Sequence, residues 1–185
     1  SPPLLFMGEE WNAPHPFPFF CDFEEPLAGA VREGRRRELA RLPEFADEAA
    51  RARIPDPLAL ETFESAKLDW SLLSQPAHKA WLDFYRGLLA LRRRVIVPRL
   101  AEAAAIRAER HLHDGPILDV QWRLADDALL QAIISLSPDD VSGGPIAPVG
   151  RLIFSTAPSA AEIIPLRNLP PWLVAWYLDT PEERG

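Results

Sequence analysis

Near Leu100 the hydrophobic period of the chain changes, and that change limits the fold to a helical part followed by a stranded one. Before it, Trp81, Phe84, Tyr85, Leu88, Leu89 and Leu91 recur at three- and four-residue spacing, which predicts a helix from Pro76 to about Arg94 with its apolar stripe facing a core. Pro98 should end or kink it. After it, Leu118–Leu124 alternates apolar with polar and Ala128–Leu136 is a second, more apolar strand, with Asp126-Asp127 as a tight turn between them. Further strands are expected at Arg151–Ser155, Glu162–Leu166 and Leu173–Leu178, separated by Ser, Gly and Pro clusters. Short strands at this spacing indicate an antiparallel β-sandwich, so the fold class is α+β. There is no internal repeat and no low-complexity segment.

The first residues are of another kind. Leu4-Leu5-Phe6-Met7 is wholly apolar and stops at Gly8, the pattern of a strand buried on both faces of a parallel sheet. Parallel neighbours need crossovers of about a dozen residues or more, yet only Ser1-Pro2-Pro3 precede this run. The expectation is a chain that begins in the middle of a fold. Its uncovered strand should be disordered, folded back on the helices, or paired in a homodimer. Pro14, Pro16 and Pro18 then enforce an extended, stiff loop. A helix is expected from Pro26 to about Leu42, with Leu27, Ala30, Val31 and Gly34 on one side, before a charged, alanine-rich passage closed by Pro55 and Pro57.

Composition excludes several partners. A formal net charge of −7 opposes binding to nucleic acid or an anionic membrane, both of which select for clustered positive charge. Arg35–Arg37 and Arg92–Arg94 read instead as helix-end cations facing the negative pole of the macrodipole. Cys21 is the single cysteine, so no intrachain disulfide can form and a reducing cytoplasm is the expected home. No apolar run approaches the ~18 residues of a membrane helix. His111 and His113 would share one side of a strand, but no acidic or thiol partner stands at ligand spacing. His15 and His78 stand alone. No metal or cofactor is expected, and neither a nucleophile elbow nor a phosphate loop is present.

Several strings occur in a telling order: Leu4–Trp11 followed by Pro16–Phe23, then Val31–Glu38, Ile54–Pro57, Thr62–Trp70 and Leu88–Arg93. Together they resemble the C-terminal part of malto-oligosyltrehalose trehalohydrolases, α-amylase-superfamily glycoside hydrolases. The likeness covers roughly residues 3–100 well. Leu58-Ala59-Leu60 departs from it where members often carry a second Asp-Pro, and Leu129–Leu136 lacks the usual asparagine-leucine ending. The resemblance implies that residues 1–105 are the last strand, active-site loop and helices of a (β/α)8 barrel, and that residues 106–185 form a small C-terminal β-sandwich.

The implied reaction is hydrolysis of the α-1,4 bond next to the terminal trehalose unit, with a malto-oligosaccharide or trehalose-type sugar as partner. Such chemistry needs two carboxylates ~5–5.5 Å or ~6.5–9.5 Å apart. Glu9 and Glu10 are adjacent and diverge, so they cannot form the pair. The family's catalytic acids lie upstream of the matched stretch and have no counterpart here; this chain alone is expected to be inactive. Loops at the C-terminal ends of barrel strands build the active site. The resemblance therefore implies that Glu9, Glu10, Trp11, Phe19 and Phe20 bind substrate, the glutamates through sugar hydroxyls and the rings by stacking. Phe17 and Phe23 are assigned to the core, and Trp70, Trp81, Trp122, Trp172 and Trp176 to packing. Two readings compete with this: a non-catalytic carbohydrate-binding or scaffold module, and a branching-type member of the superfamily, against which the Arg32–Glu38 and Lys67–Trp70 strings argue.

Overall fold

A computed structural model describes residues 2–45, 47–100, 107–111, 113–157 and 166–183. The fold is α+β, with helices and antiparallel sheets. Two compact units divide the chain, Ser1–Leu88 and Leu89–Gly185.

The first unit is helical: a 3-10 turn at Glu9–Trp11, then α1 (Leu27–Leu39), α2 (Glu48–Ala52), α3 (Leu60–Ser65) and α4 (Pro76–Leu91), which runs past the division. Local hydrogen bonds set the ends. The Glu25 carboxylate accepts the Gly29 N–H at 3.1 Å in the first turn of α1, while Asp47 caps α2 by accepting the Ala50 N–H at 2.6 Å. Arg36 and Arg37 occupy the last turn of α1, as the macrodipole favours. Asp56 clamps the Pro-Asp-Pro corner. Its carboxylate accepts Arg32 Nε at 2.9 and 3.1 Å and the Leu58 N–H at 3.0 Å, and its carbonyl accepts the Thr62 hydroxyl at 2.6 Å.

Two expectations fail in this unit. Leu4–Met7 is not a strand; the Phe6 N–H that a ladder would use goes to the Glu9 carboxylate at 3.0 Å, and the chain turns at Gly8. The Phe6 ring meets Phe17 edge-on at 5.0 Å, while Leu4 is 95% exposed. The apolar stripe of α4 does not face a core: no residue of the helix is buried, and Trp81, Phe84 and Leu89 are exposed. A helical period shows that a helix has an apolar side, not that its cover lies nearby.

The second unit opens with a π turn at Arg92–Ile96 and a 3-10 turn at Val97–Arg99, the helix thus ending around Pro98. Among the described residues seven strands follow: β1 (Arg107–His111), β2 (Ile117–Arg123), β3 (Leu129–Ser135), β4 (Val141–Ile146), β5 (Arg151–Ser155), β6 (Leu166–Leu169) and β7 (Val174–Asp179). They form a five-stranded sheet in the order β1-β2-β3-β7-β5 and a β4-β6 pair, all antiparallel. Asp127 at φ 62° makes the β2–β3 turn, and Asp126 accepts the Ala128 N–H at 3.2 Å.

Alternation along the strands gives the large sheet two working faces. One joins Ile133, Ala175 and Tyr177 to Ile146, Leu166 and Leu169 of the small sheet in a single core. The other joins Leu130 and Leu178 to Val95, Ile96 and Leu100, which precede the strands. β1 and β4 were not anticipated. β1 is polar apart from Ala108, and β4 contains Gly143-Gly144-Pro145, a breaker signal that the register shift between Ser142 and Ile146 accommodates. The strand expected at Glu162–Leu166 lies outside the described residues except for Leu166, where β6 begins.

Candidate functional site

The loop holding Glu9, Glu10 and Trp11 is a hook between two left-handed residues, Gly8 at φ 88° and Asn12 at φ 56°. Asparagine tolerates that conformation. Position 8 needs glycine on two counts: its φ, and the Leu68 Cδ2 and Ala13 Cβ atoms that an added Cβ would meet at 2.8 and 2.9 Å. Backbone bonds from Trp11 N–H to the Gly8 carbonyl at 3.3 Å, Asn12 N–H to Glu9 at 3.0 Å and Ala13 N–H to Gly8 at 2.9 Å close the hook.

Trp11 anchors it. The indole is 2% exposed, its ring centroid 4.8 Å from that of Trp70, and its carbonyl accepts His78 Nδ1 at 2.8 Å. A carbonyl only accepts, so Nδ1 of His78 carries the hydrogen. As placed, Trp11 supports the loop from below rather than presenting an open ring face.

The glutamates differ in role. Glu9 is exposed and takes two donors, the Phe6 N–H at 3.0 Å and the Tyr85 hydroxyl at 2.8 Å. These bonds, the backbone one foremost, hold its carboxyl below the usual range, and the same contact raises the Tyr85 phenol above its ordinary value. Glu9 is consequently a carboxylate near neutrality, able to accept hydrogen bonds and unsuited to donate a proton. Glu10 is half-buried, with one oxygen accepting the Gly8 N–H at 3.0 Å.

Phe20 belongs to the same neighbourhood and Phe19 does not. Phe20 packs edge-on against Phe17 at 5.6 Å and Phe63 at 5.2 Å, and Phe17 reaches Phe6, whose N–H holds Glu9. Phe19 is 47% exposed and lies 5.3 Å from the Arg35 guanidinium on α1. Phe17 and Phe23, assigned to the core from sequence, are both exposed. Of the tryptophans assigned to packing, Trp122 and Trp176 stack at 5.6 Å with an interplanar angle of 16°, Trp70 packs on Trp11 and Trp81 on Phe84 and Tyr85 while both stay partly exposed, and Trp172 is largely exposed.

A second polar cluster had no sequence signal. Asp119 is buried; its carboxylate accepts Gln131 Nε2 at 2.8 Å and meets His113 Nε2 at 2.8 Å, while Gln131 accepts the Val149 N–H at 2.8 Å. Alternation made Asp119 look solvent-facing, but its side of β2 is the one turned toward the first core. His113 is thereby engaged as a structural partner, and among the described residues no group of three or more metal-binding side chains gathers. No helix among them is long and apolar enough to cross a membrane.

No family model matches the chain. It is 35% identical over 145 residues to the malto-oligosyltrehalose trehalohydrolase of Deinococcus radiodurans, covering 72% of this chain and 23% of that protein. The Mycobacterium tuberculosis protein of the same name is 44% identical over 90 residues, 48% of this chain and 15% of the relative. Among solved structures, an α-amylase-like protein of Salmonella typhimurium superposes with a TM-score of 0.77 at 34% identity, over 96% of this chain and 28% of its own. The chain thus spans less than a quarter of these curated relatives. On this ordered likeness in sequence and fold, the chain belongs to the malto-oligosyltrehalose trehalohydrolase family of glycoside hydrolases.

Proposed function

We propose that the chain is the C-terminal part of an enzyme that hydrolyses the α-1,4 bond next to the terminal trehalose unit of malto-oligosyltrehalose. The observation that carries this reading is the 35% identity across 145 residues to a relative of that name. In it, residues 1–105 complete the end of a (β/α)8 barrel and residues 106–185 form a β-sandwich. The exposed apolar surface of Leu4, Phe6, Trp81 and Phe84 supports the first assignment, since it suits a surface made to be covered by more protein. The core shared between the five-stranded and two-stranded sheets supports the second.

Glu9 and Glu10 then act as acceptors for sugar hydroxyls, and Phe20 and Phe19 offer ring faces to pyranose C–H groups. Trp11 contributes by holding the hook at a fixed height through Trp70 and His78. Proton transfer and nucleophilic attack fall to carboxylates outside this chain. The Phe6 N–H and the Tyr85 hydroxyl hold the Glu9 carboxyl below its usual range, the opposite of the raised value a general acid needs.

The test is a chimera in which this chain replaces the matching segment of the Deinococcus radiodurans enzyme. It should release trehalose from malto-oligosyltrehalose, whereas the 185-residue chain alone should release none. A hydrogen bond to a charged group is worth ~1.5–3 kcal/mol, so Glu9→Ala or Glu10→Ala should lower kcat/KM about tenfold to a hundredfold. A folded but inactive chimera, or unchanged kcat/KM in Glu9→Ala, Glu10→Ala and Phe20→Ala alike, would defeat the proposal.

A further inference from the structure

Trp172 combines two properties that oppose each other. Its backbone is left-handed at φ 52°, which crowds the Cβ of an L residue against the carbonyl, and its side chain is 60% exposed. The other non-glycine residues with positive φ among those described are Asn12 and Asp127, types that tolerate it; tryptophan does not. A turn needing only this geometry would be served by glycine or asparagine. No aromatic ring pairs with the indole among the described residues, and most of the residue faces solvent.

The turn is held firmly around it. The Trp172 N–H donates to the Ser137 carbonyl at 3.0 Å and the Leu173 N–H to Pro170 at 3.3 Å. Thr156 Oγ1 donates to the Trp172 carbonyl at 3.4 Å while accepting the Val174 N–H at 2.9 Å. The next residue, Leu173, is fully buried. The ring therefore stands on a backbone that is stapled on both sides. The Ser137 carbonyl that holds the Trp172 N–H ties the segment carrying exposed Leu136, Asp139 and Asp140 to this turn, and Thr156 is exposed where it grips the Trp172 carbonyl. Strained backbone that a fold retains marks a site where the side chain is used.

We infer that Trp172 is the platform of a second carbohydrate site, on the turn before β7, that stacks the apolar C–H face of one glucose unit of an α-1,4-glucan and offers Thr156 and the Asp139–Asp140 loop to its hydroxyls. The choice of an α-glucan rests on the function proposed above; the platform itself rests on the geometry alone. This site belongs to the second unit and the Glu9–Phe20 loop to the first.

Affinity electrophoresis of the whole chain tests it, in gels containing soluble starch or, as control, hydroxyethyl cellulose. Starch should retard the protein, maltoheptaose should relieve the retardation, and hydroxyethyl cellulose should have no effect. Trp172→Ala and Trp172→Gly should abolish the retardation, and Leu60→Ala, an exposed position outside both sites, should keep it. The glycine variant should melt no lower than the parent chain, because glycine suits φ 52° and the indole buries little. The inference is overturned by absent retardation, by retardation that survives both Trp172 variants, by retardation on hydroxyethyl cellulose instead of starch, or by a clear fall in Tm in Trp172→Gly, which would make the indole a structural anchor. Retardation lost in Phe20→Ala but not in Trp172→Ala would overturn it while leaving the proposed function intact. An inactive chimera alongside Trp172-dependent starch binding would do the reverse.

Discussion

The helical unit leaves Phe6, Trp70 and Trp81 largely in solvent, whereas the stranded unit withdraws Ile133, Leu169, Leu173, Leu178 and Tyr177 completely. Both are rich in apolar residues, so the difference lies in layering. In the second unit two sheets meet over one core, and a short helical segment covers the other face of the larger sheet. In the first, the buried side chains are mainly small, Ala28, Ala50, Thr62 and Ala66 among them, with Trp11 of the Gly8–Asn12 hook as the large exception. The first unit is held by polar clamps, Asp56 and Asp47 among them, and by edge-on rings. An amphipathic element states that it needs a cover; it does not say which element supplies it.

The largest test of that contrast is truncation of large side chains. Leu173→Ala or Leu169→Ala should cost about 2–5 kcal/mol in urea unfolding, and Leu60→Ala, on the exposed start of α3, no more than about 0.5 kcal/mol. Equal costs would break the comparison. Next comes the loss of a buried polar partner. Asp119→Ala strands the Gln131 amide and His113, and should cost about 1–3 kcal/mol. Arg32→Ala, which removes a half-exposed pair with Asp56, should cost under about 1 kcal/mol by the same measurement.

Acid should separate the units more gently. Glu9, Asp56, Asp69 and Asp83 in the first unit all titrate below their ordinary values, Asp56 chiefly through the Leu58 N–H; in the second unit Glu183 does so through the Thr180 N–H. A carboxyl depressed on folding contributes stability above its unfolded pKa, roughly 4, and loses it as pH falls through the folded value. Amide exchange should therefore accelerate in α1 and α3 before β3 and β7 as pH drops below about 4. Simultaneous loss of protection would reject the order. The smallest effect concerns the two tyrosines, one per unit. Both phenols are raised, Tyr85 first by its bond to Glu9 and Tyr177 by burial. In Glu9→Ala, absorbance titration should show one tyrosine moving back toward its ordinary value and the other unmoved.

Where local geometry carries the information, the chain was legible. Arg151–Ser155 is a strand with the bounds its composition suggested, and Asp126-Asp127 turns as aspartates do. The family was legible from ordered strings that need no structure. Reading failed where neighbours decide. Leu4–Met7 has strand composition and pairs with no strand among the described residues; β4 keeps a Gly-Gly-Pro strand by shifting register against β6. Asp119 alternates like a surface residue and is buried beneath a second sheet's core.

The amino-acid sequence by itself determined the helical and stranded halves, most element positions and the family, because period and turn chemistry act within a few residues of the chain. Tertiary structure alone decided that β7 inserts between β3 and β5, that His78 holds Trp11 from 67 residues away, and that the Tyr85 hydroxyl donates to Glu9 from 76 residues away. It also decided that Trp172 stands exposed on strained backbone. Such contacts join residues whose separation leaves no periodic trace, since they depend on where whole elements come to rest and not on the backbone geometry each stretch prefers.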